Sequence, residues 1–460
     1  MNHAKNCTSI LIGRKASAEG SSIYCHMEDN GIDDSAHLIY FPRSKQSKKK
    51  IKFSQVKVPQ VLETFAYWGI IAAPKTPMRK NSLFKYSWTL CGMNEYGVSI
   101  GSNGVISKEP ISNESGLSDF EIHKLVLERT KNAREAVDLI GRMIDEYSQE
   151  GGGTNNKYCI GGSDGGWIVD ASSKQWAALR CSDDDILIST NQYQINCDFD
   201  LASDELIDYA KLKGWYKNDS TKNFSFMECY GDKLNKPYNL LREKRIEQLL
   251  VDKIGQISIH DIMNITRDHF EGIEYSLYKT IDHGTSTEPY FYPPHKSPYR
   301  PICVPRTQAS IICTSRINMP REMGNLMWLC FSSPCTSVYL PVYAGSSRVP
   351  EEYLVGEGKY DPASAWWAFD MLQRLVDDCH IDRKYVRNLW DSFEQREFEW
   401  QKEFDKEILQ VYEQNYDLSK ELLTDYTYQR LSHALDIAKI LVSQQIHSTS
   451  ICIDKLKPHD

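Results

Sequence analysis

Short apolar segments bounded by Gly, Pro or Asn recur through the first three quarters of this chain. Segments of this length, rich in β-branched and aromatic residues, are typical of strands. They lie at residues 8–12, 23–27, 158–160, 186–190, 306–315 and 326–343, and further β-rich stretches cover 56–72, 88–106 and 167–179. Turn residues separate the first two segments, which predicts a hairpin. Runs of strands followed by runs of helices favour a layered α+β fold over a doubly wound parallel sheet.

Two parts of the chain carry apolar residues at helical spacing. Ser118-Asp-Phe-Glu121 has the form of a capping box, and the periodic residues after it predict a helix or helix pair over 119–147. Beyond Gly358, Trp, Phe and Leu recur among alternating charges, which is typical of core packing. Residues 362–445 are therefore predicted to be helical. The basic stretch at 41–50 is predicted to be a solvated loop.

Charge and hydropathy argue against two classes of partner. The chain has 54 basic and 62 acidic residues, and its formal net charge of -8 gives no reason to expect nucleic-acid binding. No apolar stretch is long enough to predict a membrane span, and the first residues lack the apolar core of a secretory signal. We therefore expect a cytoplasmic protein without a nucleic-acid or membrane partner.

The cysteines give no sign of a metal site in the sequence. There are 13 of them, an odd number, and no two are spaced as Cys-x-x-Cys. His26, Glu28 and Asp29 could suggest a metal cluster, but alternating residues on a strand face opposite ways and no second ligand group is visible. The sequence thus predicts mostly reduced, buried cysteines, with no metal and no cofactor.

Cys7 is the position with the most specific chemical meaning. A cysteine at a mature N terminus carries nucleophile and base in one residue, because its own α-amine, which titrates near about pH 8, can take the thiol proton. No separate histidine is then required. A cysteine near a chain start ordinarily has no such role, so this interpretation depends on the neighbouring sequence.

The neighbouring sequence begins with Cys7-Thr-Ser-Ile-Leu-Ile-Gly-Arg-Lys-Ala-Ser17, followed by Gly20-Ser21 and Glu28-Asp29. Further stretches follow: Gly92-Met-Asn-Glu-Tyr-Gly-Val-Ser-Ile-Gly101, Leu127-Glu-Arg with Ala133-Arg-Glu-Ala-Val137, Trp167-Ile-Val-Asp-Ala171 before Trp176, Thr190-Asn-Gln192, Tyr299-Arg-Pro-Ile302 with Arg306, and Ser337-Val-Tyr-Leu-Pro-Val-Tyr343. In this order they resemble the dipeptidase A family of cysteine N-terminal nucleophile hydrolases, to which the secernins are related. The similarity covers most of the chain.

The resemblance implies a fold, a domain organisation and an activity. The fold would be an αββα sandwich, with two antiparallel sheets between helix layers and the nucleophile at the end of a central strand. Residues 1–6 would be a leader that is removed, 7–357 the catalytic body, and 358–460 a helical C-terminal region packed on it. The implied activity is hydrolysis of dipeptides or short peptides by Cys7, and assembly into a homo-oligomer is left open.

The resemblance also implies roles for particular residues. Asp29 would orient the Cys7 amine, and Asn191 would donate a hydrogen bond to the oxyanion of the tetrahedral intermediate. Arg306 would face the nucleophile as a fixed cation, stabilise the thiolate and hold Asp29. Asn103 would add a main-chain donor to the oxyanion.

The sequence departs from the family pattern at His26-Met27, where the family carries Arg and Asn. Arginine is a permanent cation, whereas histidine is mostly neutral in the cytosol, so His26 is either a catalytic substitute or a packed strand residue. This departure leaves two alternatives to a dipeptidase. One is hydrolysis of other amides or acyl-amides by the same centre, and the other is a secernin-like interaction or exocytosis role with little peptidase activity.

Overall fold

The computed structural model describes residues 7–29, 35–73, 88–111, 115–149, 154–218, 221–232, 237–275, 295 and 299–449. The strands are β1 (Thr8–Ile12), β2 (Ser22–Asp29), β3 (Ala36–Phe41), β4 (Ser44–Lys45), β5 (Lys50–Lys52), β6 (Lys57–Pro59), β7 (Glu63–Thr64), β8 (Tyr67–Ala72), β9 (Cys91–Asn94), β10 (Ser99–Val105), β11 (Asn155–Gly162), β12 (Gly165–Ser172), β13 (Gln175–Cys181), β14 (Ile186–Ser189), β15 (Leu201–Ala202), β16 (Thr307–Ser315), β17 (Asn325–Phe331) and β18 (Leu340–Tyr343). The α-helices are α1 (Asp119–Arg129), α2 (Ala133–Tyr147), α3 (Leu206–Leu212), α4 (Phe226–Tyr230), α5 (Pro237–Leu250), α6 (Ile259–Thr266), α7 (Arg321–Gly324), α8 (Ala365–Asp377), α9 (Arg383–Gln414) and α10 (Tyr416–Thr449). The proposed leader, residues 1–6, lies outside the described residues.

Two large antiparallel sheets pack face to face at the centre of the molecule. The first has the strand order β14-β1-β2-β16-β17-β18 and the second the order β15-β13-β12-β11-β10-β9-β8-β3. Strands β1 and β2 of the first sheet contact β10 and β12 of the second. Helices cover both outer faces, because α1 and α2 pack on β9 to β13 while α5 and α6 pack on the first sheet. The C-terminal helices α8 and α10 pack against β17 and β18. The predicted αββα sandwich with a helical C-terminal region is therefore confirmed.

Burial on both faces explains why the central strands have nearly continuous apolar sequences. In β1, Leu11 lies in the core between the sheets, whereas Ile10 and Ile12 pack beneath the helices on the outer face. This follows from the two-residue period of a strand. The inward-facing series continues toward the N terminus with Ser9 and Cys7, whose side chains can form hydrogen bonds. Polar side chains that are buried between two sheets need hydrogen-bond partners. These side chains therefore mark the region in which a functional site is to be sought.

The strongest local signals in the sequence predicted their elements correctly. The hairpin of β1 and β2 is present, and Ser118 and Glu121 form both hydrogen bonds of the capping box that starts α1. Residues 41–50 differ from the prediction of a loop, because they include β4 and the start of β5, which pair with β7 and β6. Within the described ranges, none of the helices has the combination of length and apolar character that a membrane crossing requires.

Candidate active site

Cys7 immediately precedes β1 and is completely buried. Its carbonyl oxygen accepts hydrogen bonds from Asn103 Nδ2 at 2.8 Å and from Arg242 Nη1 at 3.0 Å. Its Sγ lies 4.0 Å from the main-chain oxygen of Asp29. Because β1 pairs with β2 on one side and β14 on the other, the main chain at Cys7 is fixed between two strands of its own sheet and Asn103 of the other sheet.

A chain of hydrogen bonds runs from Ser9 through His26 to Glu28. Ser9 Oγ is 2.8 Å from His26 Nδ1, and His26 Nε2 is 3.0 Å from Glu28 Oε2. The single hydroxyl hydrogen of Ser9 is donated to Asn103 Oδ1 at 3.1 Å, so Ser9 accepts from the imidazole ring. Both ring nitrogens of His26 are thus engaged, one with a hydroxyl and one with a carboxylate, in a fully buried position beside Cys7.

Asp29 lies on the other face of β2 and is held by two donors. Its Oδ1 accepts from Thr307 Oγ1 at 2.7 Å, and its Oδ2 accepts from Arg300 Nη2. The Asp29 side chain has no exposed surface, so the hydrogen bond to the cation takes place largely out of water. The carboxylate is thereby fixed in one orientation, and the main-chain oxygen of the same residue lies 4.0 Å from Cys7 Sγ.

Arg242 of α5 connects the remaining groups. It is fully buried, and its guanidinium donates to Cys7 O, Thr8 Oγ1, Asn191 Oδ1 and Asn239 Oδ1 at 2.6 to 3.0 Å. The rigid fork of an arginine suits several fixed acceptors, unlike the point charge of a lysine. A single side chain therefore sets the position of the Cys7 carbonyl and of the Asn191 amide.

Burial and the nearby Arg300 lower the pKa of Arg242 well below its ordinary value, while Asp29 acts in the opposite direction. An arginine nevertheless stays protonated in proteins, because its ordinary pKa lies far above neutrality. Two guanidinium groups therefore lie near Asp29 in a region with little water. This places positive charge where a thiolate at Cys7 would be stabilised.

Asn191 follows β14 and is almost buried. Its Nδ2 donates to the carbonyl oxygen of Gly104 at 3.0 Å, and its own carbonyl oxygen accepts from Asn239 Nδ2 at 3.0 Å. The following loop is tied down by Asp170, whose Oδ2 accepts from the main-chain nitrogens of residues 194 and 195. The amide predicted to serve the oxyanion is thus on a rigid segment.

The structure brings together five of the six site residues predicted from sequence, and it corrects one contact. Arg306 was expected to hold Asp29, but the guanidinium that donates to Asp29 belongs to Arg300. Thr307 pairs with Asp29 across the strands and uses its side chain there, whereas Arg306 lies in the turn that precedes β16. Asn103 contacts Cys7 through its side chain, and its expected role as a main-chain donor to the oxyanion stays a prediction.

Sequence reasoning missed Arg242, Arg300, Ser9 and the role of Glu28. Arg300 lies in the quoted stretch Tyr299-Arg-Pro-Ile302, so the signal was present there. Arg242 shares the buried stripe of α5 with Asn239, Ile246 and Leu250, a helical spacing that places a charged residue in the core. This spacing is present in the sequence, but the other charged residues of α5 make it difficult to recognise.

A metal can be considered at Cys7, because its Sγ, a ring nitrogen of His26 and a carboxylate oxygen of Glu28 lie within 4.8 Å of one another. Both ring nitrogens of His26 are, however, already hydrogen-bonded to Ser9 and Glu28. The imidazole therefore has a hydrogen-bond partner at each nitrogen, and the arrangement needs no metal to explain its geometry.

Known proteins resemble this chain over most of its length. A probable dipeptidase of Salmonella dublin is 26% identical over 378 residues, which cover 74% of this chain and 81% of that protein. Probable dipeptidase B of Lactococcus lactis subsp. lactis is 24% identical over 446 residues, covering 87% and 88%. Among solved structures, penicillin V acylase from Agrobacterium tumefaciens aligns with a TM-score of 0.38 and 14% identity, covering 73% of this chain and 86% of that one.

The match to a family model is stronger evidence than the similarity to any single relative. The sequence model of Peptidase family C69 matches residues 6–245 and 242–390. The match includes Cys7, the whole first sheet, and Asp29, Asn103 and Arg242, which contact Cys7. The chain therefore belongs to peptidase family C69.

Proposed function

We propose that this protein is a dipeptidase whose nucleophile is Cys7, exposed as the N-terminal residue when residues 1–6 are removed. One observation carries the proposal: buried polar side chains from β1, β2, β10, α5 and the segment before β16 converge on Cys7. Burying such groups costs stability unless they are paired, and their concentration at one thiol is typical of a catalytic centre. The family and the relatives named as dipeptidases support the choice of reaction.

In the proposed reaction, the freed α-amine of Cys7 takes the proton of its own thiol. The thiolate attacks the peptide carbonyl carbon and forms a carbon–sulfur bond. The carbon–nitrogen bond then breaks, and the leaving amine receives the proton from the Cys7 ammonium group. Water, deprotonated by the same amine, attacks the carbonyl carbon of the thioester. The carbon–sulfur bond then breaks, the carboxylic acid product leaves, and the thiolate takes back the proton from the amine. Both nucleophile and base belong to one residue.

The surrounding groups have separate roles in this proposal. The carboxylate of Asp29, held by Arg300 and Thr307, orients the ammonium group of Cys7. The Asn191 amide donates to the oxyanion, a contact whose loss typically lowers kcat by roughly 10² to 10³. Arg242 positions both Cys7 and Asn191. His26 and Glu28 supply a buried, hydrogen-bonded pair next to the thiol. The stabilising role expected of Arg306 stays a prediction, because the donor to Asp29 is Arg300.

The proposal requires that Cys7 becomes accessible on processing, because its side chain is fully buried in the full-length chain and its nitrogen is an amide. N-terminal sequencing of active protein should therefore read Cys7 first. Cys7→Ala should abolish dipeptide turnover, and Cys7→Ser should keep a trace because a hydroxyl is the weaker nucleophile. Cys25→Ala is the matched control, since Cys25 is a buried thiol of β2 in the outer core and should be dispensable for turnover.

Two results would contradict the proposal: full activity in protein that still begins with Met1, or wild-type rates in Cys7→Ala. A substrate panel separates the alternatives. Turnover of acylated amines but not of dipeptides would indicate an amide hydrolase with the same centre. No turnover of either class by protein that begins with Cys7 would favour a secernin-like interaction role.

A further inference from the structure

Four potential metal ligands converge in a second cluster, formed by His269, His295, Cys303 and Cys335. One ligand atom from each residue lies within 4.8 Å of those of the other three. Cys335 Sγ is 3.5 Å and Cys303 Sγ is 3.9 Å from His295 Nε2. Around a tetrahedral zinc ion, with bonds of about 2.3 Å to sulfur and about 2.0 Å to nitrogen, a sulfur and a nitrogen lie about 3.5 Å apart. The observed spacings are close to those of ligands that surround one ion.

Both histidines are oriented by carboxylates on the side away from the cluster. Nδ1 of His295 is 2.9 Å from both carboxylate oxygens of Asp377, and Nδ1 of His269 is 3.1 Å from Glu271 Oε1. This is the usual second contact of a metal-bound histidine. Nε2 of His269 is buried and has no hydrogen-bond partner among the described residues. A carboxylate that orients one ring nitrogen leaves the other nitrogen available to a metal ion.

We propose that His269, His295, Cys303 and Cys335 bind one Zn²⁺ ion in a structural site. Two thiolates balance the charge of the ion, and a set of two sulfurs and two nitrogens favours zinc over hard cations such as Mg²⁺ or Ca²⁺. Four protein ligands leave no open position for substrate. Cys303 has no exposed surface, and Cys335 and His269 are at most 4% exposed, so the ion is enclosed by the protein.

The ion joins segments that are distant in the sequence. His269 follows α6, Cys303 lies before β16, and Cys335 belongs to the connection between β17 and β18. Cys303 comes three residues after Arg300, whose guanidinium holds Asp29. The zinc site therefore fixes the segment that delivers Arg300 to the neighbourhood of Cys7. It is a structural support for the active site and takes no part in the reaction.

Metal analysis of the full-length protein, purified without chelator, should find about one zinc per chain. After removal of zinc, Co²⁺ should restore occupancy and give the visible absorption of a tetrahedral cobalt–thiolate site. Cys335→Ser and His269→Asn should lose tight binding. Asp377→Asn keeps all four ligands and should weaken Co²⁺ affinity by about 10- to 100-fold, which tests the site even if the ligand variants fail to fold. Cys330→Ser, a buried cysteine of β17, is the matched control and should retain zinc.

Three results would overturn the zinc site. The first is protein that carries no zinc as purified and gives no cobalt spectrum. The second is a mass two hydrogens lower, with a disulfide between Cys303 and Cys335. The third is loss of zinc in Cys7→Ala, which would move the ion to Cys7, His26 and Glu28. Metal content is measured without turnover, so this test and that of the peptidase activity fail independently.

Discussion

Arg242 connects the main chain of Cys7 with several of the groups around it. Its guanidinium reaches a main-chain oxygen, a hydroxyl and two side-chain amides, all of which are buried. Lysine at this position would keep the charge, but its ammonium group cannot reach four acceptors that lie in a fork. We therefore predict that Arg242→Lys lowers kcat for dipeptides by roughly 10² to 10³, the range typical of losing an oxyanion contact. Steady-state kinetics on processed protein measure this effect.

Two controls separate an effect of Arg242 on catalysis from a general effect on folding or on helix α5. Lys244→Ala changes an exposed residue of the same helix and should leave kcat unchanged. The pH dependence of Cys7 alkylation separates a positioning role from a structural one, because only a residue that acts on the thiol shifts that profile. If Arg242→Lys keeps kcat and the alkylation profile of the wild type, Arg242 serves stability alone.

Some site residues could be predicted from sequence because they lie in short, recognisable stretches. Cys7, His26 and Asp29 belong to one hairpin, and Asn191 belongs to Thr190-Asn-Gln192. The choice between Arg300 and Arg306 could not be made in this way. Both are arginines that precede β16, and only the folded structure shows that Arg300 is the one that donates to the carboxylate.

The packing of α1 against its sheet depends on a buried histidine. His123 Nδ1 lies 3.0 Å from Thr89 O and 2.7 Å from Leu90 O, in the segment that leads into β9. Burial lowers the pKa of His123 to about 4, although Asp119 opposes this shift. Between that value and the unfolded pKa of about 6.5, the unfolded chain binds a proton that the folded chain does not. The free energy of unfolding therefore falls as the pH decreases through this window.

We predict that His123 causes a loss of about 3 kcal/mol in the free energy of unfolding between pH 6.5 and pH 4, at about 1.4 kcal/mol per pH unit. His123→Gln cannot titrate, so its stability should depend less on pH by this amount. His380→Gln, which changes an exposed histidine, is the matched control and should follow the wild-type curve. Denaturant unfolding at several pH values measures the difference, and parallel curves for wild type and His123→Gln would refute the prediction.

Elements with strong local signals were predicted, and those without them were not. The helix pair α1–α2 has its capping box and apolar period within a few residues, so the sequence alone determines it. Helices α3 and α5 have short or highly charged sequences, and they pack against β13 and β14. The proposed zinc ligands could not be predicted from the sequence either, because Cys303 and Cys335 are brought to His269 only by the completed fold.

At the scale of the whole molecule, the helices after residue 357 are continuous with the body. Trp366, Leu372 and Leu435 lie in the same apolar cluster as Ile311 and Leu329 of the first sheet. Polar contacts cross the same boundary. Trp366 Nε1 donates to Gln308 O at 2.8 Å, which satisfies a main-chain oxygen of β16. We therefore propose that the regions 7–357 and 358–460 unfold as one cooperative unit.

Glu394 of α9 allows this cooperativity to be tested. It is fully buried and accepts from Arg267 Nη2 at 2.6 Å and from the main-chain nitrogen of Tyr339 at 2.8 Å, both in the body. Glu394→Ala leaves the Arg267 cation without its main partner, and removal of one member of a buried pair costs about 3 to 5 kcal/mol. We predict this loss in the free energy of unfolding, whereas Glu403→Ala, in an exposed pair with Lys406, should cost about 0 to 1 kcal/mol.

Hydrogen exchange locates where the stability is lost. If the molecule is one unit, the slowest-exchanging amides of β16 and of α9 should lose protection by the same amount in Glu394→Ala, because both exchange through global unfolding. If the C-terminal helices were an independent domain, protection would fall in α9 and stay unchanged in β16. Exchange measured by mass spectrometry on wild type, Glu394→Ala and Glu403→Ala distinguishes the two outcomes, and a change confined to α9 would refute the cooperative unit.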